Sequence, residues 1–245
     1  MTLEQNTILI TGGGSGIGLE TAKLFARKGN RVIITGRNEA KLRNAAEQIG
    51  DAEYIVSDIT DASAVDALVA RLEKEYPQLN MVINNAGLAY AYDISTGPGA
   101  YEKAAAEMTT NYLATVRLTE KLLPLLESQQ ESAIVNISSI VAFAPSLKIP
   151  SYSASKAALH SYTQSLRLAL QSTHVKVFEV MPPLVDTEFA KELPGNKIPA
   201  SQVAGEIVHG LENDIFEIHV AVTADLYKLF LSSPLKALHR VNGIS

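Results

Sequence analysis

The sequence predicts an α/β fold in which a doubly wound parallel sheet of about seven strands is flanked by helices. Short apolar segments alternate with helical segments almost from end to end, as in strands joined by helical crossovers. The apolar segments lack the alternation of apolar and polar residues that marks a strand with one solvent-exposed face. Both faces of the sheet are therefore expected to be covered. No repeat, linker or charge block interrupts the chain, so we predict one domain over residues 1–245.

The predicted strands follow one another as short apolar segments. They are residues 7–11, 31–35, 54–57, 81–83, 133–137, 175–180 and a last strand near 217–222. Asn38 and Asp61 are predicted to cap the N-termini of two crossover helices. Long helical segments over about 99–128 and 152–171 separate the last strands, and a helical tail follows over about 223–241. Right-handed crossovers then place a ligand crevice at the carboxyl ends of the strands.

Composition excludes several classes of function. The formal net charge is −5 and no segment concentrates Lys and Arg, which argues against a nucleic-acid partner. The chain has no cysteine and its five histidines are scattered, so no metal site is expected. No apolar run approaches the roughly 20 residues that span a bilayer, and the start lacks a secretory signal. We therefore expect no stable membrane insertion and a cytoplasmic location.

A glycine-rich turn directly follows the first strand and reads Thr11-Gly-Gly-Gly-Ser-Gly-Ile-Gly18. Glycine permits a tight turn and lets backbone N–H groups and a helix N-terminus approach a pyrophosphate. A turn needed only for packing is the alternative, but the position between strand and helix favours a dinucleotide. The sequence therefore predicts a single-domain Rossmann fold.

The end of the second strand indicates which nicotinamide cofactor fits. An Asp or Glu at this position would accept a hydrogen bond from the ribose of NAD, whereas this strand ends in Thr35-Gly36-Arg37. A guanidinium can hold a 2′-phosphate by paired charge-assisted hydrogen bonds. We predict NADP(H) in preference to NAD(H), with Arg37 as the main contact and Asn38 in support. The alternative is that Arg37 is a solvated surface charge.

A set of polar residues is predicted to gather at the same crevice. Tyr152 and Lys156 are four residues apart and project from one helix face. Ser138 and Ser139 end the fifth predicted strand, and Asn111 falls inside the helix that follows the fourth. Tyr-x-x-x-Lys alone occurs often by chance, but an asparagine within a helix needs hydrogen-bond partners.

Together these segments resemble the short-chain dehydrogenase/reductase family over about residues 7–190. The glycine spacing, the Asn84-Asn-Ala-Gly87 segment and the Asn-Ile-Ser-Ser…Tyr-Ser-Ala-Ser-Lys arrangement carry the resemblance. Pro182-Pro183 and Lys156-Ala-Ala-Leu-His160 resemble the DltE-like subgroup in particular. The resemblance implies an oxidoreductase that interconverts a small-molecule carbonyl and alcohol, and Arg37 makes NADP(H) its expected cofactor.

The cofactor-binding residues come from this resemblance and from the end of the second strand. They are Gly12, Ser15, Gly16, Ile17, Gly18, Arg37, Asn38, Asp58, Ile59, Asn85, Ala86, Gly87, Tyr152, Lys156, Pro182, Val185 and Thr187. The catalytic residues that it implies are Asn111, Ser139, Tyr152 and Lys156.

Hydride transfer to a carbonyl builds negative charge on its oxygen, which must be stabilised and protonated. Tyrosine has an ordinary pKa of about 10, and a neighbouring ammonium and the nicotinamide charge favour its phenolate. We therefore expect a lowered pKa for Tyr152, which would act as general acid or base. Ser139 would orient the substrate oxygen, with Ser138 as the alternative, and Lys156 would also bind the ribose. The resemblance suggests that Asn111 holds a water of a proton relay.

Two later segments are expected to shape substrate and assembly. Residues 188–200 occupy the position of a substrate lid, and the apolar Phe189, Leu193 and Ile198 hint at an apolar substrate. The apolar tail is more compatible with a packed helix or subunit contact than with membrane-surface binding. The resemblance implies a homodimer, with a tetramer as the alternative.

Two other functions remain open from the sequence. One is a catalytically silent NADP(H)-binding regulatory protein of the same fold, which an intact Asn–Ser–Tyr–Lys set disfavours. The other is a Rossmann-type methyltransferase, which the Tyr-x-x-x-Lys helix disfavours.

Overall fold

A computed structural model describes residues 1–50, 52–95, 99–191, 193 and 195–244. Its main sheet has seven parallel strands in the order β3-β2-β1-β4-β5-β6-β9, and β7 pairs with β8 in a small separate sheet. The strands are β1 (Thr7–Thr11), β2 (Arg31–Gly36), β3 (Glu53–Val56), β4 (Leu79–Asn84), β5 (Ser132–Ile137), β6 (Val175–Met181), β7 (Val185–Asp186), β8 (Ile198–Pro199) and β9 (Glu217–His219). The predicted fold class and the seven predicted strands are confirmed.

Helices cover both faces of the main sheet. They are α1 (Gly16–Arg27), α2 (Glu39–Ile49), α3 (Ala62–Glu75), α4 (Ala100–Met108), α5 (Ala114–Glu127), α6 (Pro150–Ala169), α7 (Ala200–Glu212), α8 (Thr223–Ser232) and α9 (Pro234–Asn242). Both predicted caps are confirmed, because Asn38 accepts from the Lys41 N–H at 2.9 Å and Asp61 accepts from the Ser63 N–H at 2.7 Å. Among the described residues no helix is both long and apolar enough to cross a membrane.

Alternate residues of the central strands point to opposite faces and are fully buried on both. Ile8 and Ile10 of β1 pack with Phe25 of α1, whereas Leu9 lies on the other face with Leu72 of α3. This double burial explains the continuous apolar character of the strands. The strand order reverses between β1 and β4, which opens a crevice at their carboxyl ends.

Two elements differ from the predicted ones. The long helical segment over 99–128 is interrupted by a π-helical turn at Thr109–Leu113, between α4 and α5. The last strand ends at His219, because Ala221 adopts a positive φ of 49° that turns the chain into α8. Both are local backbone changes that hydrophobic periodicity does not report.

Candidate active site

A cleft of about 1210 Å³ lies at the carboxyl ends of β1, β2, β4, β5 and β6. Every predicted site residue lines it except Gly18 and Asn111. Gly18 lies behind the glycine turn, and Asn111 is a buried residue with 1% of its surface exposed. The fold therefore brings residues from widely separated segments to one cavity.

The glycine turn leaves no room for side chains at Gly12, Gly16 and Gly18. Gly12 and Gly16 adopt positive φ values of 65° and 56°, which favour glycine. A Cβ on Gly18 would lie 2.6 Å from the Gly12 carbonyl oxygen. The turn leads directly into the N-terminus of α1, which begins at Gly16. The bare backbone and the helix N-terminus together form a cradle suited to a phosphate.

The segment after β4 is fastened to this turn by hydrogen bonds. The Thr11 hydroxyl accepts from the N–H groups of Asn85 and Ala86 at 3.0 and 3.1 Å. The Asn85 amide donates to the carbonyl oxygens of Thr11 and Gly12 at 2.9 and 3.1 Å. The Asn-Ala-Gly segment is thus a structural brace for the turn as well as a wall of the cleft.

Arg37 and Asp58 face the same end of the cleft. Burial acts to raise the pKa of the Asp58 carboxyl, but hydrogen bonds from Thr60 and the charge of Arg37 outweigh it and lower that pKa. The Thr60 N–H and hydroxyl donate to Asp58 at 2.9 and 2.7 Å. The side-chain oxygen of Asn38 is occupied by its cap hydrogen bond. This end therefore presents one guanidinium and one well-ordered carboxylate.

The other end of the cleft gathers Ser139, Tyr152 and Lys156. Ser139 follows β5 and begins a short 3₁₀ turn, and its side chain hydrogen-bonds to Tyr152. The Lys156 ammonium donates to the Ile137 carbonyl oxygen at 2.7 Å and lies 5.6 Å from the Tyr152 ring centroid. All three side chains are buried.

Burial sets the protonation of this group. It raises the pKa of the Tyr152 phenol above its ordinary value, and the Ser139 hydrogen bond only partly opposes the rise. Burial also lowers the pKa of Lys156 to about 8, against the opposing charge of Glu179. The rise for Tyr152 is opposite to the predicted lowering, because desolvation of the phenolate outweighs the neighbouring groups of the chain.

Both the oxygen and the nitrogen of the Asn111 side-chain amide form hydrogen bonds within the protein. Its oxygen accepts from the Leu88 N–H, and its nitrogen donates to the Leu88 carbonyl and the Ser155 hydroxyl, all at 2.8 Å. Ser155 in turn donates to the Tyr152 carbonyl oxygen at 2.7 Å. The side chain therefore joins the loop after β4 to α6, and the π-helical turn supplies the bend that aims it there.

Sequence reasoning missed a second buried link between the same segments. Glu107 lies one turn before Asn111, and its carboxylate accepts from the Tyr90 N–H at 2.6 Å and from the Ser151 hydroxyl. Ser151 precedes Tyr152 and accepts from the Tyr92 hydroxyl at 2.8 Å. The sequence does show that Glu107 and Asn111 are four residues apart, which places them on one face of a helix. A single glutamate in a helix, however, does not by itself indicate a buried hydrogen-bond link.

A substitution at Glu107 tests this link through stability. Burial raises the pKa of the Glu107 carboxyl, so the neutral form stabilises the fold at low pH and this contribution is lost as pH rises through the folded-state pKa. Glu107→Gln resembles the neutral carboxyl but cannot ionise, so between pH 5 and pH 8 we expect the unsubstituted chain to lose stability relative to the variant. Urea unfolding at both pH values measures it.

Glu102→Gln on the exposed side of α4 is the matched control and should change the free energy of unfolding by no more than about 0.5 kcal/mol. A deficit for Glu107→Gln that stays constant with pH would contradict the titration argument.

The predicted lid begins at the cofactor end of the cleft. The Lys41 ammonium on α2 and Glu188 form an ion pair at 2.6 Å, and Val185 pairs with Ile198 through β7 and β8. Leu193 packs against the hydrophobic cluster that contains Tyr152. Residues 192 and 194 and the side chain of Phe189 lie outside the described structure.

No group of three or more His, Cys, Asp or Glu side chains among the described residues is arranged to hold a metal ion. The polar groups beside the apolar wall of the cleft include the Tyr152 phenol, the Ser139 hydroxyl and the Lys156 ammonium. Their arrangement beside a phosphate cradle defines the chain as a nucleotide-binding α/β oxidoreductase.

Comparisons with known proteins identify the family. Residues 6–197 match the family model described as short chain dehydrogenase. A relative from Bacillus subtilis (strain 168), named uncharacterized oxidoreductase DltE, is 43% identical over 187 residues, which cover 76% of this chain and 74% of the relative. The chain belongs to the short-chain dehydrogenase/reductase family, in its DltE-like group, as predicted, and it is an NAD(P)-dependent dehydrogenase or reductase.

Solved structures agree with this placement. A short-chain dehydrogenase from Burkholderia cenocepacia J2315 in complex with NADP has a TM-score of 0.86 and 28% identity, covering 98% of this chain and 99% of that one. A 3-ketoacyl-(acyl-carrier-protein) reductase from Brucella melitensis complexed with NADH has a TM-score of 0.77 and 28% identity, covering 85% of this chain and 91% of that one. Both cofactors thus occur among similar structures. The comparisons give no support to a methyltransferase.

Proposed function

We propose that this oxidoreductase uses NADP(H), in preference to NAD(H), to interconvert a carbonyl and an alcohol, with Tyr152 as general acid and base. The observation that carries the proposal is the buried group in which Ser139 hydrogen-bonds to Tyr152 while the Lys156 ammonium lies 5.6 Å from the same ring. This group lies in one cleft with the phosphate cradle, so proton transfer and hydride transfer can meet at one substrate.

The residues present fit a nicotinamide dinucleotide. Gly12 and Gly16 would hold the phosphates against the start of α1, and Gly18 keeps the turn compact. Asp58 and Ile59 would lie along the adenine, and Val185 and Thr187 along the nicotinamide carboxamide, as the family resemblance implies. When bound, this cofactor supplies or accepts the hydride.

The chain's own groups then handle the oxygen and the proton. The Ser139 hydroxyl would donate to the substrate oxygen and orient it. Because burial raises the pKa of Tyr152, its phenol is protonated at neutral pH and ready to donate to a developing alkoxide. The Lys156 ammonium, held by Ile137, would stabilise the phenolate that remains. This protonation state suits carbonyl reduction.

After each reduction Tyr152 must regain a proton from solvent. The side chain of Asn111 is fully engaged by Leu88 and Ser155, so it would support a relay by holding α6 and the loop after β4 in place.

The homodimer and the cytoplasmic location expected from the sequence stay predictions.

Arg37 supports the preference for NADP(H). It directly follows β2, lies near Asp58 and lines the cleft, where a guanidinium suits a 2′-phosphate. We expect Arg37→Ala to lower the ratio of kcat/KM with NADPH to kcat/KM with NADH about 10- to 100-fold, since hydrogen bonds to charged groups contribute about 1.5–3 kcal/mol. Initial rates with each cofactor measure the ratio.

Arg43→Ala, on the exposed side of α2, is the matched control and should leave that ratio unchanged. An unaltered ratio in Arg37→Ala, or a preference of the unsubstituted enzyme for NADH, would refute the assignment of Arg37.

A further inference from the structure

The C-terminal helix α9 is fastened to the substrate end of the cleft. The Asn242 oxygen accepts from the Leu147 N–H at 2.7 Å, and the Asn242 nitrogen donates to the Pro145 carbonyl at 2.9 Å. Val241 packs against the hydrophobic cluster that contains Tyr152. The last turn of α9 and the loop before α6 therefore form one continuous edge of the cleft.

This edge carries two positive charges, Lys148 and Arg240, which we call the cationic rim. Both line the same cleft as Tyr152, and both are exposed. Within the described part of the chain, neither is among the side chains that form ion pairs. They lie on the two segments that the Asn242 hydrogen bonds join, so their positions are coupled.

The other charges of the cleft do not balance the cationic rim. Asp58 is the only acidic side chain among the described lining residues, and it lies at the opposite end, bonded to Thr60. Asp93 borders a neighbouring recess with Lys148, where it accepts hydrogen bonds from Ser95 at 2.8 and 2.6 Å. Among the described residues that line the cleft, the substrate end thus carries more positive than negative side chains.

The other basic lining residues have their own roles. Lys41 pairs with Glu188, and the buried Lys156 donates to Ile137. Arg37 belongs to the nucleotide end. An apolar cluster that contains Tyr152 lines the same cleft. Its other lining members include Val141, Ile149, Leu193 and Val241.

We propose that the cationic rim recognises an anionic group of the substrate, a carboxylate or a phosphate, whose carbonyl reaches Tyr152 across an apolar body. This inference rests on the proposed function. Exposed charges act mainly by steering and weak pairing, so each is expected to contribute a modest factor in affinity. The substrate class is therefore an anionic aldehyde or ketone with a hydrophobic middle.

Binding to the enzyme saturated with NADP⁺ tests the inference without turnover, since an aldehyde cannot be reduced there. Calorimetry would compare 4-formylbenzoate, 4-formylphenyl phosphate and the uncharged methyl 4-formylbenzoate. We expect one or both anions to bind about ten-fold more tightly than the ester, with an advantage that falls as salt rises. The stronger of the two anions identifies the group.

Arg240→Gln and Lys148→Gln should each reduce the ratio of anion to ester affinity several-fold. Lys236→Gln, an exposed lysine on α9 outside the cleft, should leave the ratio unchanged. Equal or tighter binding of the ester, or an equal effect of Lys236→Gln, overturns the inference. Reduction of the same aldehydes with NADPH tests the proposed function separately. An enzyme that reduces the ester but binds the anions no more tightly than the ester would contradict the inference and leave the proposed function intact.

Discussion

Tyr152→Phe is expected to lower kcat for carbonyl reduction about 1000-fold, within the range of roughly 10²–10⁴ that general acid catalysis contributes. The substitution removes the only proton donor that we place at the substrate oxygen and leaves the ring in its buried position, where 9% of the residue is exposed. Loss of the phenol also removes the hydrogen bond to Ser139. Single-turnover oxidation of NADPH measures the chemical step directly.

NADPH affinity should change little in this variant, because the phosphate cradle is built from other residues. Tyr162→Phe is the matched control: the same hydroxyl is removed from α6, from a half-buried side chain bonded to Thr119 outside the cleft. A Tyr152→Phe enzyme that retains more than a tenth of the normal kcat would refute the assigned proton donor.

Gly18→Ala is expected to weaken nucleotide binding at least ten-fold and to lower the free energy of unfolding by about 1–3 kcal/mol, as overpacking does. The new methyl group would lie 2.6 Å from the Gly12 carbonyl oxygen and 2.5 Å from the Asn85 side-chain nitrogen. Neither neighbour can retreat freely, since Asn85 is bonded to the turn that Gly12 belongs to. NADPH fluorescence titration and urea unfolding give the two quantities.

Gly205→Ala on α7 is the matched control, because among the described residues no atom beyond its chain neighbours and the adjacent helix backbone lies within 4 Å of the position that its methyl group would take. Alanine is the better helix former, so this variant should be as stable as the unsubstituted chain or slightly more stable. Normal NADPH affinity in Gly18→Ala would contradict the close packing of the turn.

The strands and their order in the chain could be predicted because the central ones bury both faces and therefore read as apolar segments. The caps Asn38 and Asp61 were predictable for a related reason, since their side chains accept from N–H groups two or three residues away. The structure at these positions is therefore set by residues that are close together in the sequence.

Other features escaped prediction because they depend on distant partners. The role of Glu107 requires Tyr90 and Ser151 to meet it, and these lie 17 and 44 residues away along the chain. The direction of the Tyr152 pKa shift depends on how completely the fold removes water from the phenol. The cationic rim exists only because Asn242 brings α9 to the loop before α6.

The sequence by itself determined the parallel α/β fold, the glycine turn and the family, because these follow from periodicity, backbone freedom and short motifs. Only the tertiary structure decided the protonation of Tyr152, the engagement of Asn111 and the charge at the substrate end. Those properties are set by desolvation and by contacts between segments far apart in the chain, and neither is encoded in any one stretch of residues.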